Sequence, residues 1–186
     1  MTPRLERPVT AGEMRNFKAI DKAFPDLHAE MIDGEVCIDT RATGAHGQMV
    51  MSLGAQLLAK WCVMTEVNTV WAGWHGTTYL RPDISVADPS HRGANRKEFP
   101  ADELILVAEV VSESNPENDT RRKVGKYALA GVPYYLVVDP IEGRCLLYSL
   151  PAEGRYRSQV ETKFGDPVQL GAPLDAELDT TGLFTY

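Results

Sequence analysis

Glu109 stands in the middle of an apolar run, "LILVAEVVSES" (104–114). An ionised carboxylate buried there is costly unless it is paired, protonated or bound to a metal. A second acid, Asp83 in "YLRPDISVADP", follows Pro82, whose missing N–H marks the edge or start of a strand. Two acids brought together from neighbouring strands repel unless a cation lies between them. Mg²⁺ suits such a pair, since it prefers oxygen and is commonly held by one or two carboxylates with waters and phosphate oxygens. A metal so held polarises a phosphoryl oxygen and activates bound water, which is hydrolytic chemistry.

A further cation has to face the attacking water and the developing charge. Val111 shares the strand face of Glu109 and cannot supply it. In "DTRRKVGKYALAGVP" a core face drawn through Val124, Tyr127, Ala128 and Gly131 leaves Lys123 on its flank, able to lean over the strand end. Arg121 lies on the other flank, while Arg122 and Lys126 point away. Lys123 is therefore the expected cation.

The elements that must position these groups follow from periodicity. Residues 9–24 read as a helix with a Thr cap, Glu13 three residues later, and Met14, Phe17, Ile20 and Phe24 at helical spacing. Residues 28–40 read as a hairpin turning at Asp33-Gly34. Residues 46–64 place Met49, Val50, Leu53, Leu57, Leu58 and Trp61 on one helical stripe. Strands are expected at 66–72 and 77–88, a long loop at 89–102 and a central strand at 103–111, apolar on both faces. A capped helix over 114–133 stops at Gly131 and Pro133. "YYLVVDP" and "RCLLYSL" are strands, and beyond Pro151 the pattern breaks into short strands and turns. The result is one mixed α/β (α+β) domain over 1–186: an N-terminal helix, a core of about 28–140 and C-terminal strands and turns over 141–186.

Composition sets the bounds. At 186 residues, 44% hydrophobic and 24% charged, the chain matches an ordinary folded domain. A net charge of −7 argues against a generally basic nucleic-acid coat but leaves room for a local basic cleft. Cys37, Cys62 and Cys145 are odd in number and widely spaced, which reads as reduced thiols in a cytoplasmic protein. No signal peptide and no membrane-spanning apolar run is expected.

"RPDISV", "LVAEVVSESN" and "DTRRKVGKYALAGVPYYLVVDP", with "AEMIDGEVCI" and His46 before them, resemble the Uma-two family, whose members are taken for restriction endonucleases of the PD-(D/E)XK nuclease superfamily. The resemblance covers roughly residues 28–140. It implies a restriction-endonuclease-like core, a central mixed sheet flanked by helices. It also implies Asp83 and Glu109 on a Mg²⁺ (or Mn²⁺) ion with the backbone carbonyl of Val110, Lys123 assisting catalysis, and DNA as the substrate. The superfamily often carries its lysine two residues after the acid; here that slot is Val111, and the lysine has moved to the next helix, as in the family. Glu30 and His46 match family positions as auxiliary residues.

Plainer readings stand beside these. Glu109 can be a structural acid paired with Arg121 or Lys123. Glu30 can be structural, His46 a helix-start residue, Glu66 a strand-surface acid and Asp119 a helix cap. Trp71 and Trp74 default to core or dimer contact, ahead of stacking on an unpaired base. Arg92, Arg96, Lys97, Arg121, Arg122 and Lys126 are solvated surface charge unless the fold gathers them on one rim to track phosphates. The expected function is metal-dependent DNA cleavage. The alternatives are an inactive nucleic-acid-binding module on a nuclease scaffold and a structural, self-associating protein. Cutting both strands of a duplex needs two sites, so a homodimer is expected with the first reading.

Overall fold

The structure, a computed structural model, describes residues 10–24, 27–39, 43–74, 78–114 and 116–186. Expectations that fall on the remaining residues, among them the reading of the N-terminal leader and of Asn115, lie outside these.

Helix α1 (Ala11–Ala23) begins at Thr10, whose hydroxyl accepts from the Glu13 amide while the Glu13 carboxylate accepts from the Thr10 amide. Strands β1 (His28–Ile32) and β2 (Glu35–Asp39) form the expected hairpin. Asp33 and Gly34 both take positive φ (55° and 82°), the mirror-image turn whose twist matches the flanking strands. Helix α2 (Gly44–Leu57) is capped by Thr43 through the His46 amide.

Helix α2 stops well short of residue 64. Cys62–Met64 is instead strand β3, because it pairs with the next long strand of the sheet. The expected strands at 66–72 and 77–88 shrink to β4 (Asn68–Val70) and β5 (Ile84–Ala87). The loop at 89–102 holds a short strand of its own, β6 (Glu98–Pro100), paired parallel with β4.

Strand β7 (Leu104–Val110) is followed by a π-helical turn, Asn118–Arg122, then helix α3 (Lys123–Leu129) and strand β8 (Tyr134–Asp139). Strands β9 (Arg144–Ala152) and β10 (Arg155–Lys163) run nine residues each around a turn at Glu153-Gly154, both at positive φ. They replace the short strands expected past Pro151. Strands β11 (Val168–Leu170) and β12 (Ala176–Leu178) complete the chain.

The central sheet has six strands in the order β10-β9-β8-β7-β5-β3. Strands β7 and β8 are parallel, joined by the crossover through α3; the other pairs are antiparallel. Alternation along β7 sends Leu106, Ala108 and Val110 into a core with Met49, Leu53 and Leu57 of α2. Val107, with Val111 just past the strand, packs on the other side with Tyr127 of α3 and Tyr135 and Val137 of β8. Residue 109 therefore leaves the sheet on the α3 side. Trp74 is fully buried and meets Trp71 edge-on at 6.0 Å, so it is a core residue and not a stacking platform. Cys37, Cys62 and Cys145 are free thiols. No helix among the described residues is long and apolar enough to cross a membrane.

Candidate active site

Asp83 is the residue just ahead of β5. The antiparallel register that sets Ile84 opposite Ala108 puts Asp83 opposite Glu109 one step further on. Residues facing each other across such a pair share a face of the sheet. Both acids are buried, at 7% and 3% exposure. Each also accepts from backbone on the other strand: the Val110 amide donates to Asp83 Oδ2 at 2.7 Å, and the Asp83 amide to Glu109 Oε2 at 3.4 Å.

Lys123 opens α3 and lies wholly inside, on the same side. Its Nζ is 2.6 Å from Glu30 Oε2, 2.9 Å from Glu109 Oε1 and 2.9 Å from Asp119 Oδ1. An ammonium has three N–H bonds, and here each finds a carboxylate. The Tyr127 hydroxyl adds a 3.2 Å bond to Glu109 Oε1. Glu30 reaches in from β1, and its other oxygen accepts from the Arg81 amide at 2.7 Å. His28, two residues earlier on that strand, lies 3.9 Å from Glu30 and 3.0 Å from Glu66. His46, held in the first turn of α2 by the Thr43 cap, sets Nε2 2.9 Å from Asp83 Oδ1.

The hairpin is fastened over this centre by charge. Arg122 donates to the Ile32 carbonyl at 3.1 Å and pairs with Glu35 at 2.8 Å. Lys126 pairs with Asp33 in the hairpin turn. Neither side chain points away from the packed side. Lys126 is only 8% exposed, because the hairpin covers the flank that a wheel drawn over one regular helix leaves in solvent. Asp119 is likewise not a cap. The residue at the helix start is Glu117, which makes no side-chain cap bond, and Asp119 turns inward to Lys123. Glu66 sits in a turn at φ 55° and holds His28.

Most of the basic residues are engaged by partners within the fold. Arg92 donates to the carbonyls of Leu58, Ala59 and Trp61, satisfying groups left open at the end of α2. Arg96 pairs with Glu103 at 2.6 Å and stacks over Phe99 at 4.0 Å. Arg121 pairs with Glu117, 3.2 Å away, and both are exposed, as is Lys97.

Four carboxylates, Glu30, Asp83, Glu109 and Asp119, thus share one lysine and the histidines at their margin. Burial, reinforced by Asp119, Glu30 and Asp83, pushes the Glu109 carboxyl well above the usual range against the pull of Lys123. Burial and the Glu30 and Asp83 charges lift Asp119 to about 6, again against Lys123. Burial opposes ionisation of Glu30 too, but Lys123 and His28 outweigh it and hold it down at about 2. For Lys123, burial favours the neutral amine, yet Asp119, Glu109 and Glu30 raise its affinity for the proton well above normal. The cluster is short of positive charge.

That shortage is the observation against which an added cation is tested. Among the described residues no three His, Cys, Asp or Glu side chains converge as a ready metal cage. Mg²⁺ does not need one, because one or two carboxylates with waters suffice. Asp83 and Glu109 supply hard oxygens fixed by backbone amides; both Asp83 oxygens and Glu109 Oε2 keep a further lone pair, while Glu109 Oε1 is taken by Lys123 and Tyr127, and extra positive charge offsets the crowding of carboxylates around Glu109. The residues fit a hard divalent ion.

Asp119, Tyr127 and His28 had no site role in the sequence reading. Asp119 and Lys123 do carry a signal, an acid four residues before a base. His28 and Glu30 carry another, alternate residues on one strand face.

Fold and site together define a mixed α+β protein with a carboxylate–lysine centre at one end of its central strands. Residues 15–181 match the Uma2 family, described as "Putative restriction endonuclease", and the chain belongs to that family. A crystal structure of "a putative nuclease belonging to DUF820" from Anabaena variabilis ATCC 29413 shares the fold. Its TM-score is 0.62 at 17% sequence identity, over 84% of this chain and 89% of that one. No curated protein matches the sequence.

Proposed function

We propose that the chain is a metal-dependent endonuclease that hydrolyses phosphodiester bonds in DNA, with Asp83 and Glu109 holding Mg²⁺, or Mn²⁺, against the scissile phosphate. The observation that carries this reading is the opposition of Asp83 and Glu109 on adjacent strands with the Lys123 ammonium 2.9 Å from Glu109. Family membership supports the reaction class.

When bound, such an ion supplies polarisation of the phosphoryl oxygen and a more acidic water. The chain does the positioning. The Val110 amide fixes Asp83 Oδ2 and His46 holds Oδ1; the family resemblance adds the Val110 carbonyl as a further ligand oxygen. Lys123, 2.9 Å from Glu109, is placed to orient or deprotonate the water and to offset negative charge as the phosphodiester opens. Glu30 and Asp119 hold Lys123 in place.

A plasmid-nicking assay with Mg²⁺ and Mn²⁺ tests this. The parent nicks, while Asp83→Ala and Glu109→Ala abolish nicking and remain folded. A parent inert with both ions, or variants that cut like the parent, overturns the reading.

One observation favours a second reading. Three carboxylates already satisfy Lys123, so the cluster can serve as a buried structural network. In that case neither ion shifts the melting temperature, whereas a ligand bound only by the folded form raises it.

A further inference from the structure

Helix α1 turns Met14 and Phe17 inward, against Ala29, Met31 and Tyr79. Both of its acids are used within the fold: Glu13 closes the Thr10 cap, and Asp21 holds the Arg81 guanidinium at 2.8 Å. At 3.6 residues per turn, Arg15, Lys18 and Lys22 fall in a stripe about 60° wide on the side away from Phe17. All three are exposed. Beside them stand Ala19 and Ala23, small enough to let another surface come close.

A solvated helix face ordinarily mixes both signs, because opposite charges three or four residues apart support each other. This stripe carries three cations and no acid, in a chain with 26 acidic and 19 basic residues. Arg96, Arg122 and Arg144, by contrast, are each spent on an acid of the fold. Arg15, Lys18 and Lys22 form no ion pair among the described residues; Lys18 lies 5.9 Å over the Tyr79 ring.

The stripe also stands beside the candidate site. Lys18 over Tyr79 and Asp21 on Arg81 both fall on the chain that leads into β5. Tyr79 is four residues from Asp83, at most about 14 Å of extended chain. Helix α1 therefore runs along the segment that delivers Asp83, with its C-terminal end towards the site.

We infer that the Arg15, Lys18 and Lys22 face of α1 is the surface along which the sugar-phosphate backbone of the DNA substrate lies as it enters the candidate site. The inference takes its substrate from the proposed function and adds where the strand runs. Charge selects the occupant, since a phosphate backbone calls for cations that the fold has not already neutralised. Length agrees. From Arg15 to Lys22 the helix rises about 10 Å, the axial span of roughly three phosphates on one strand. An anionic membrane attracts cations too, but a helix lying in one turns its apolar side to the lipid, and that side of α1 is packed on β1 and Tyr79. Contacts of this kind position the nucleic acid without reading its sequence.

Fluorescence anisotropy of a short labelled DNA, as duplex and as single strand, tests it in EDTA over a range of NaCl concentration. The logarithm of the parent's affinity falls linearly with that of the salt concentration. Arg15→Gln, Lys18→Gln and Lys22→Gln each make the slope shallower by about 0.7–0.9, and the triple variant by about 2–3. Far-UV circular dichroism and melting stay unchanged, because these side chains stand in solvent. Lys163→Gln, exposed on β10 at the far edge of the sheet, keeps the parent slope. A parent that binds neither DNA overturns the inference. So does a triple variant with the parent slope, a Lys163→Gln slope that falls as far as those of the stripe variants, or a parent that prefers phosphatidylserine vesicles to DNA. The plasmid assay separates this inference from the proposed function. A parent that nicks, with a triple variant that keeps the parent slope, removes the surface and leaves the cleavage standing. A parent that does not nick, with a triple variant of shallower slope, removes the cleavage and leaves the surface as a DNA-binding face.

Discussion

Lys123 lies closer to Glu30, at 2.6 Å, than to Glu109, at 2.9 Å. Glu30 belongs to the N-terminal hairpin and Glu109 to the central strand, so the ammonium bridges two separately built parts of the molecule. Replacing it with Met leaves Glu30, Glu109 and Asp119 buried without their shared counter-ion. Removing one partner from a buried network of this kind costs about 3–5 kcal/mol. For a chain of this length that is a melting temperature roughly 10 °C lower. Adding Glu109→Gln to Lys123→Met should recover part of the loss in the same melting experiment.

His28 gives the fold an alkaline limit. Burial opposes its protonation, but Glu30 and Glu66 outweigh that and raise it to about 10. The folded value exceeds the unfolded value of 6.5, so the folded state keeps a proton that the unfolded chain releases between the two. This stability is fully present below pH 6.5 and is lost as pH rises towards 10. His28→Gln should flatten the fall in melting temperature over that window. An unchanged slope would show that the proton resides elsewhere.

Asp119 acts in an acidic window. With its carboxyl raised from 3.8 to about 6, the folded state takes up a proton that the unfolded chain lacks. Stability attributable to this group falls as pH climbs from about 4 to about 6. Asp119→Asn should remove that slope while leaving the alkaline one due to His28 intact. Melting curves across both windows separate the two.

Arg92 should behave as a structural residue. Its guanidinium caps three carbonyls at the end of α2, so Arg92→Ala should cost about 1 kcal/mol, or roughly 3 °C in melting temperature. Any salt dependence of DNA binding should stay as in the parent, since a residue that contacts phosphate would lower the slope.

The legible parts of the molecule are those set by local chemistry. Asp33-Gly34 announces its turn because few residues tolerate positive φ, and Thr10 with Glu13 announces a helix start. Glu109 stands out because a carboxylate in an apolar strand demands an explanation. What the sequence hides depends on distant partners. Strand β3 reads as more helix until β5 claims it, and β10 reads as fragments because most of its residues face water. The cation Lys123 emerges from the wheel, yet the same local pattern turns Lys126 to solvent and makes Asp119 a cap, where the structure buries both. The π-turn at Asn118–Arg122 and the covering hairpin change which way that segment faces, and no local pattern encodes either.

The parallel pairing of β7 with β8 has one more effect. The segment that returns the chain from one strand to the other is the same segment that carries Asp119 and Lys123. Closing that loop is the slow, entropically costly step in building a parallel pair. Glu109 therefore meets its lysine only when the crossover has docked, and centre and sheet mature together. A refolding experiment should find protection of the β7 and β8 amides and burial of the Tyr127 phenol appearing in a single kinetic phase.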